Sequence, residues 1–115
     1  MHTSVTRSFT FEAAHQLPWH PGKCQRLHGH SYRLEVTVEG PLTHQGIVVD
    51  FADIKSVVER EVVARYDHTY LNDAFDNPTA ELIAQEIWKT LEAASLPVAH
   101  IRLWETPDSW VDVAR

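Results

Sequence analysis

From Ser31 to Glu39 the chain alternates without a break. Tyr32, Leu34, Val36 and Val38 fall on one parity, and Ser31, Arg33, Glu35, Thr37 and Glu39 on the other. Successive strand side chains point to opposite faces, so this pattern demands a strand with one face buried and one in water. A looser copy comes first: Val5, Phe9 and Phe11 share one parity, and Ser4, Thr6, Ser8 and Thr10 the other. The segment between them, QLPWHPGKCQR, is broken by Pro18, Pro21 and Gly22 and reads as the loop connecting two strands.

After the second strand GPLTHQG turns the chain, and Ile47-Val48-Val49 reads as a returning strand. Ile54, Val57, Val58 and Val62 then recur at helical spacing to about Arg65. A second helix is expected to start at Asn77-Pro78, with Asn as cap and Pro at the first helical position. Its apolar stripe is Ala80, Ile83, Ala84, Ile87, Trp88 and Leu91, and Pro97 marks its end. Val98 to Glu105 and Ser109 to Ala114 read as two last strands around a tight turn. This order predicts an α+β domain with two helices on one face of an antiparallel sheet. The last strands carry Ile101 and Leu103 on one parity but Trp104 on the other, so self-association is expected to cover the second face.

The length of 115 residues suits a single domain, 1–115. Ten Lys+Arg against sixteen Asp+Glu give a formal charge of −6, which argues against nucleic acid or an anionic membrane as partner. MHTSVTRSFTF has no apolar signal-like core, and no run approaches a membrane span, so a soluble cytoplasmic protein is expected. The single Cys excludes an internal disulfide framework.

Eight His remain to be explained. His28 and His30 stand at i and i+2 on the parity of Tyr32 and Leu34, so both can reach one metal ion from one strand face. His15 continues the parity of Phe9, Phe11 and Ala13, and antiparallel pairing would bring it beside them. Three imidazoles leave one vertex of a tetrahedral zinc open, as in catalytic sites. His20 is a rival ligand in the loop, whereas His2, His44 and His100 read as solvated or structural.

Cys24, between Lys23 and Arg26 in the loop, can be read as an activated thiolate, as a fourth metal ligand or as an incidental loop residue. Asp67-His68 is either a surface pair or a carboxylate steering the tautomer of an acid/base imidazole. Glu105 follows the parity of Ala99, Ile101 and Leu103, where a buried apolar residue belongs. Such an acid needs a partner. Two N–H donors on a heterocycle would serve, unless the strand has already reached solvent there.

Taken in order, FTFEAAH, the C-x-x-x-H-G-H of Cys24 to His30, Asp50-Phe51, DHTYLN, NPTAE and the W-E-T around Glu105 resemble the 6-pyruvoyltetrahydropterin synthase / 6-carboxytetrahydropterin synthase family. The resemblance covers nearly the whole chain. It implies the tunnelling fold: a four-stranded antiparallel sheet with two helices, three subunits closing a barrel and two trimers forming a hexamer. It implies His15, His28 and His30 as zinc ligands and Cys24, Asp67 and His68 as catalytic groups, the last two acting in their own subunit or from a neighbour. It also implies Glu105 as anchor of the pterin ring, with Thr79 beside it. Three residues between Cys24 and His28 resemble the 6-carboxytetrahydropterin synthase branch, which serves queuosine and 7-deazaguanine biosynthesis. The implied activity is zinc-dependent conversion of 7,8-dihydroneopterin triphosphate to 6-carboxytetrahydropterin, with release of acetaldehyde and triphosphate. The alternatives are the pyruvoyl-forming enzyme and a non-catalytic metal- or pterin-binding module. Tyr66 stands where the family commonly has Leu, and the loop from His15 to Cys24 is slightly short.

Overall fold

The computed structural model describes residues 1–115. Strand β1 (Ser4–His15) pairs antiparallel with β2 (His28–Glu39), from Ser4 opposite Glu39 to His15 opposite His28. The inward set of β1 and β2, including Phe9, Phe11, Tyr32, Leu34, Val36 and Val38, is buried. Burying one such apolar side chain is worth about 1.5–3 kcal/mol, and slipping the register by one residue would turn the whole set outward. The alternation therefore specifies the pairing.

Helix α1 (Phe51–Val58) starts at Asp50, whose carboxylate accepts the Ala52 N–H at 2.8 Å. It passes through a π-helical turn (Glu59–Val63) into the short α2 (Ala64–Tyr66). Ile54, Val58, Val62 and Tyr66, spaced by four, are all buried. A regular α-helix drifts by about 40° at each four-residue step, and the wider π turn offsets that drift. Strand β3 (Thr69–Tyr70) then pairs parallel with Ala13–Ala14 of β1. Helix α3 (Ala80–Ala93) lays Ile83, Ala84, Ile87 and Leu91 into the same core. Strand β4 (Val98–Thr106) pairs antiparallel with β2, and β5 (Ser109–Ala114) with β4.

Three expectations need correction. The sheet is five-stranded and mixed, β3-β1-β2-β4-β5, not four-stranded and antiparallel. The added strand has two residues, too few to show a periodicity. Ile47-Val48-Val49 forms no strand. Both sides of β2 are taken by β1 and β4, so a returning strand has no edge to join, and Val48 instead plugs the core from a loop. The second helix begins at Ala80 rather than Pro78, because Thr79 is the cap and its hydroxyl accepts the Leu82 N–H at 3.2 Å.

The helices cover one face of the sheet, as expected. On the other, Trp104 packs against Trp110 at 4.4 Å between ring centroids with the rings tilted by 44°, and the Arg33 and Arg102 guanidiniums lie over the Trp104 ring. The odd-parity tryptophan is thus half covered within its own chain, although its indole N–H has no acceptor. No helix is long and apolar enough to cross a membrane.

Candidate metal centre

The β1–β2 register sets His15 opposite His28 and Ala13 opposite His30, so three imidazoles gather at one end of the inward sheet face. Their candidate ligand atoms all lie within 4.8 Å of one another, and the group can hold a metal ion. His15 is fully buried; His28 and His30 are partly exposed. Tyr32, the next inward residue of β2, is buried beneath them, and its hydroxyl lies 3.5 Å from His15 Nδ1. Burial and the Glu105 charge hold the Tyr32 phenol protonated far above its ordinary range.

Backbone carbonyls set the tautomers. His15 Nδ1 lies 2.8 Å from the Pro78 carbonyl and His28 Nδ1 2.7 Å from the Arg26 carbonyl. A carbonyl only accepts, so each Nδ1 must carry the proton and each Nε2 of the neutral ring presents a lone pair. Those two Nε2 atoms face each other at 3.0 Å, a repulsive arrangement without a cation between them. His30 Nε2 is buried and has no hydrogen-bond partner. Burial foremost depresses the His30 pKa, against the raising effect of Glu105, which favours the neutral, ligating imidazole. An orphaned nitrogen beside two opposed lone pairs fits a soft-to-borderline divalent ion such as zinc.

Glu105, one step beyond the Arg33–Trp104 pair of the β2–β4 ladder, places Oε1 at 3.4 Å from His15 Nε2 and 3.5 Å from His30 Nε2. It has not escaped to solvent: its side chain is 30% exposed.

The remaining predicted residues lie elsewhere. Cys24, half-buried on the single turn Lys23–Gln25, is free and outside the histidine cluster. Its carbonyl accepts the Leu17 N–H at 2.8 Å, closing the loop. His20 is spent within that loop, its Nδ1 accepting the Gly22 N–H at 2.9 Å. Thr79 caps α3. Asp67 and His68 pair at 3.0 Å beyond α2, but not at the triad. His68 lines an open hollow of about 510 Å³ together with the outward residues Glu12, Ala14, Gly29 and Ser31 of β1 and β2, and His30 of the histidine cluster reaches the same hollow. His68 adopts a left-handed φ of 59°, held by its N–H to the Glu12 carbonyl. Asp67 accepts the Glu12 N–H at 2.9 Å; that bond first, and the His68 contact second, depress its pKa.

By sequence alone, Pro78, Arg26 and Tyr32 have no assigned part at the metal centre. Tyr32 shares the parity of His28 and His30, which was a usable signal; the two carbonyls leave no trace in residue type.

Residues 4–115 match the family model described as 6-pyruvoyl tetrahydropterin synthase. The chain is 44% identical over 103 residues to the 6-carboxy-5,6,7,8-tetrahydropterin synthase of Synechocystis sp., covering 84% of this chain and 80% of that one. It is 36% identical over 135 aligned positions to the enzyme of that name from Haemophilus influenzae, covering 94% and 96% of the two chains. The structure of Caenorhabditis elegans 6-pyruvoyl tetrahydropterin synthase matches with a TM-score of 0.89 over 100% of this chain and 96% of that one; at 24% identity it demonstrates a common fold.

Proposed function

The chain belongs to the 6-pyruvoyl tetrahydropterin synthase family, and from that premise we propose that it is a zinc-dependent 6-carboxy-5,6,7,8-tetrahydropterin synthase. Its substrate would be 7,8-dihydroneopterin triphosphate, and its products 6-carboxytetrahydropterin, acetaldehyde and triphosphate. The observation that carries this reading is the pair of opposed lone pairs of His15 and His28 beside the orphaned His30 nitrogen, in a chain 36–44% identical to enzymes of that name.

His15, His28 and His30 would hold the zinc. The ion supplies Lewis acidity toward the hydroxylated side chain of the substrate. Cys24, as thiolate, would move a side-chain proton, and His68, oriented by Asp67, would serve as its acid/base counterpart. The 3.0 Å contact from Asp67 to His68 Nδ1 supports this division, because it leaves Nε2 free to exchange a proton. Glu105 would receive the two N–H donors of the pterin edge, with Thr79 near the ring. Lys23 and Arg26, flanking Cys24, would offset the −6 charge of the chain near the triphosphate.

Asp67 and His68 sit at the edge of β1, outside the three-histidine cluster, and His68 is largely exposed, which supports their acting in a neighbouring subunit's site. A trimer or hexamer joined at the sheet edges would provide that neighbour and would satisfy the open strand edge of β5. The cytoplasm, where queuosine precursors would be made, is the proposed compartment.

Incubation of the purified protein with 7,8-dihydroneopterin triphosphate, followed by identification of the pterin, tests the reading. The expected products are 6-carboxytetrahydropterin and acetaldehyde in equal amounts. A 6-pyruvoyl product without acetaldehyde would replace this reading with the pyruvoyl-forming one. No turnover by zinc-loaded protein would leave a binding module.

A further inference from the structure

Glu105 stands in an unusual relation to the imidazoles. Its Oε1 is 3.4 Å from His15 Nε2 and 3.5 Å from His30 Nε2, whereas a charge-assisted hydrogen bond would close to about 2.7–2.9 Å. His15 cannot donate to it as a neutral ring, because its one proton is committed to the Pro78 carbonyl. A proton shared between His15 and His28 would still leave the buried His30 nitrogen facing the carboxylate unpaired. Potential ligand atoms thus converge from three strands: β1 through His15, β2 through His28 and His30, and β4 through Glu105.

Distances decide what such a group suits. At metal–ligand bonds of about 2.0–2.2 Å, ligand atoms at the vertices of a tetrahedron stand about 3.3–3.5 Å apart. The two Glu105 contacts fall in that range, and the His15–His28 contact of 3.0 Å lies just below it. The carboxylate approaches two of the three rings; the group whose ligand atoms all lie within 4.8 Å of one another is the three histidines alone, and His28 is linked to Glu105 only through His15.

We infer that Glu105 is a fourth ligand of the metal centre in the substrate-free protein, occupying the vertex the three histidines leave open. The inference rests on the zinc reading above and deepens it. Glu105 would guard the open position until a substrate competes for the metal, the carboxylate or both.

The test uses whole protein without pterin: the parent chain, Glu105→Gln, which keeps the shape, and Glu105→Asp, which keeps the charge but withdraws the oxygen. Zinc affinity is measured against a chromophoric chelator, and the coordination sphere is read from the visible absorption of the cobalt(II)-loaded proteins. Glu105→Gln is expected to weaken zinc binding about tenfold or more and to change the position and intensity of the cobalt bands, with Glu105→Asp intermediate. A Glu105→Gln cobalt spectrum superimposable on the parent's overturns the inference, whether or not affinity falls, since a distant charge alone could lower affinity. Circular dichroism of the metal-free proteins establishes that each variant folds; should Glu105→Gln not fold, Glu105→Asp is judged by the same spectral criterion. A parent chain that binds no zinc overturns the zinc reading itself, an outcome seen without any variant.

Discussion

Two groups around the β1–β2 hairpin, both given parts in the proposed chemistry, are held in different ways. Inward, His15, His28 and His30 are fixed by strand register and by backbone carbonyls, with a buried phenol beneath them. Outward, Asp67 and His68 sit beyond a helix end, 36% and 78% exposed, held by two backbone bonds to Glu12. The metal-capable half is rigid because it belongs to the sheet and core. The Asp67–His68 pair is attached only to the sheet edge. Asp67 and His68 lie outside the histidine cluster, although His30 and His68 border the same hollow, and the proposal has the two groups meet between subunits.

Removing an inward ligand should have the largest effect. His28→Ala is expected to lose bound zinc and at least about a hundredfold in activity, measured by metal analysis and product formation. Full zinc occupancy in that variant would break the ligand assignment. On the outward half, His68→Ala should keep its zinc and lose about 10²–10⁴ in kcat. Reassembling the His28→Ala and His68→Ala chains together after dissociation sharpens the comparison. If the halves meet across subunits, about a quarter of the sites combine two intact halves, and activity returns to that extent. No recovery, with mixed oligomers demonstrated, would place both halves in one chain.

Smaller effects concern what supports each half. Thr79→Ala removes the cap of α3 next to the carbonyl that orients His15, and should lower stability by about 1 kcal/mol in chemical denaturation. A fall in zinc affinity alongside it would show that the cap also steadies Pro78. Acid should act in metal-free protein first on the buried nitrogen of His30, whose imidazole takes a proton more readily in the unfolded chain, and at lower pH on the outward carboxylates. Asp67 is depressed by the Glu12 N–H, Asp112 by Arg102 and Asp108 by the Thr106 hydroxyl. A depressed carboxylate contributes stability above its unfolded pKa and loses it as pH falls through the folded value. Metal-free protein should therefore lose a modest part of its stability below about pH 4. A melting temperature flat from pH 5 to the acid limit would contradict these pairings.

Much of the site could be read from parity. His28, His30, Tyr32 and Leu34 alternate with polar residues, His15 continues Phe11 and Ala13, and Glu105 continues Leu103; each falls on the inward face. Other features could not be read this way. Ile47-Val48-Val49 has strand composition, but both neighbours of β2 come from elsewhere in the chain. Thr69–Tyr70 pairs with β1 over too few residues to leave a pattern. Asn77-Pro78 carries a start signal, yet the Thr79 hydroxyl caps the helix and the Pro78 carbonyl is directed to His15.

The order of residues by itself determined which side chains share a face, because a period of two is a local property of extended backbone. It therefore determined that three histidines and a glutamate would point inward at strand ends. Only the tertiary structure decided how far apart their lone pairs stand, which carbonyls hold their protons, and that Asp67 and His68 sit at the edge of β1. Those are distances between segments far apart in sequence, set by register, core packing and chain path rather than by the identity of any one residue.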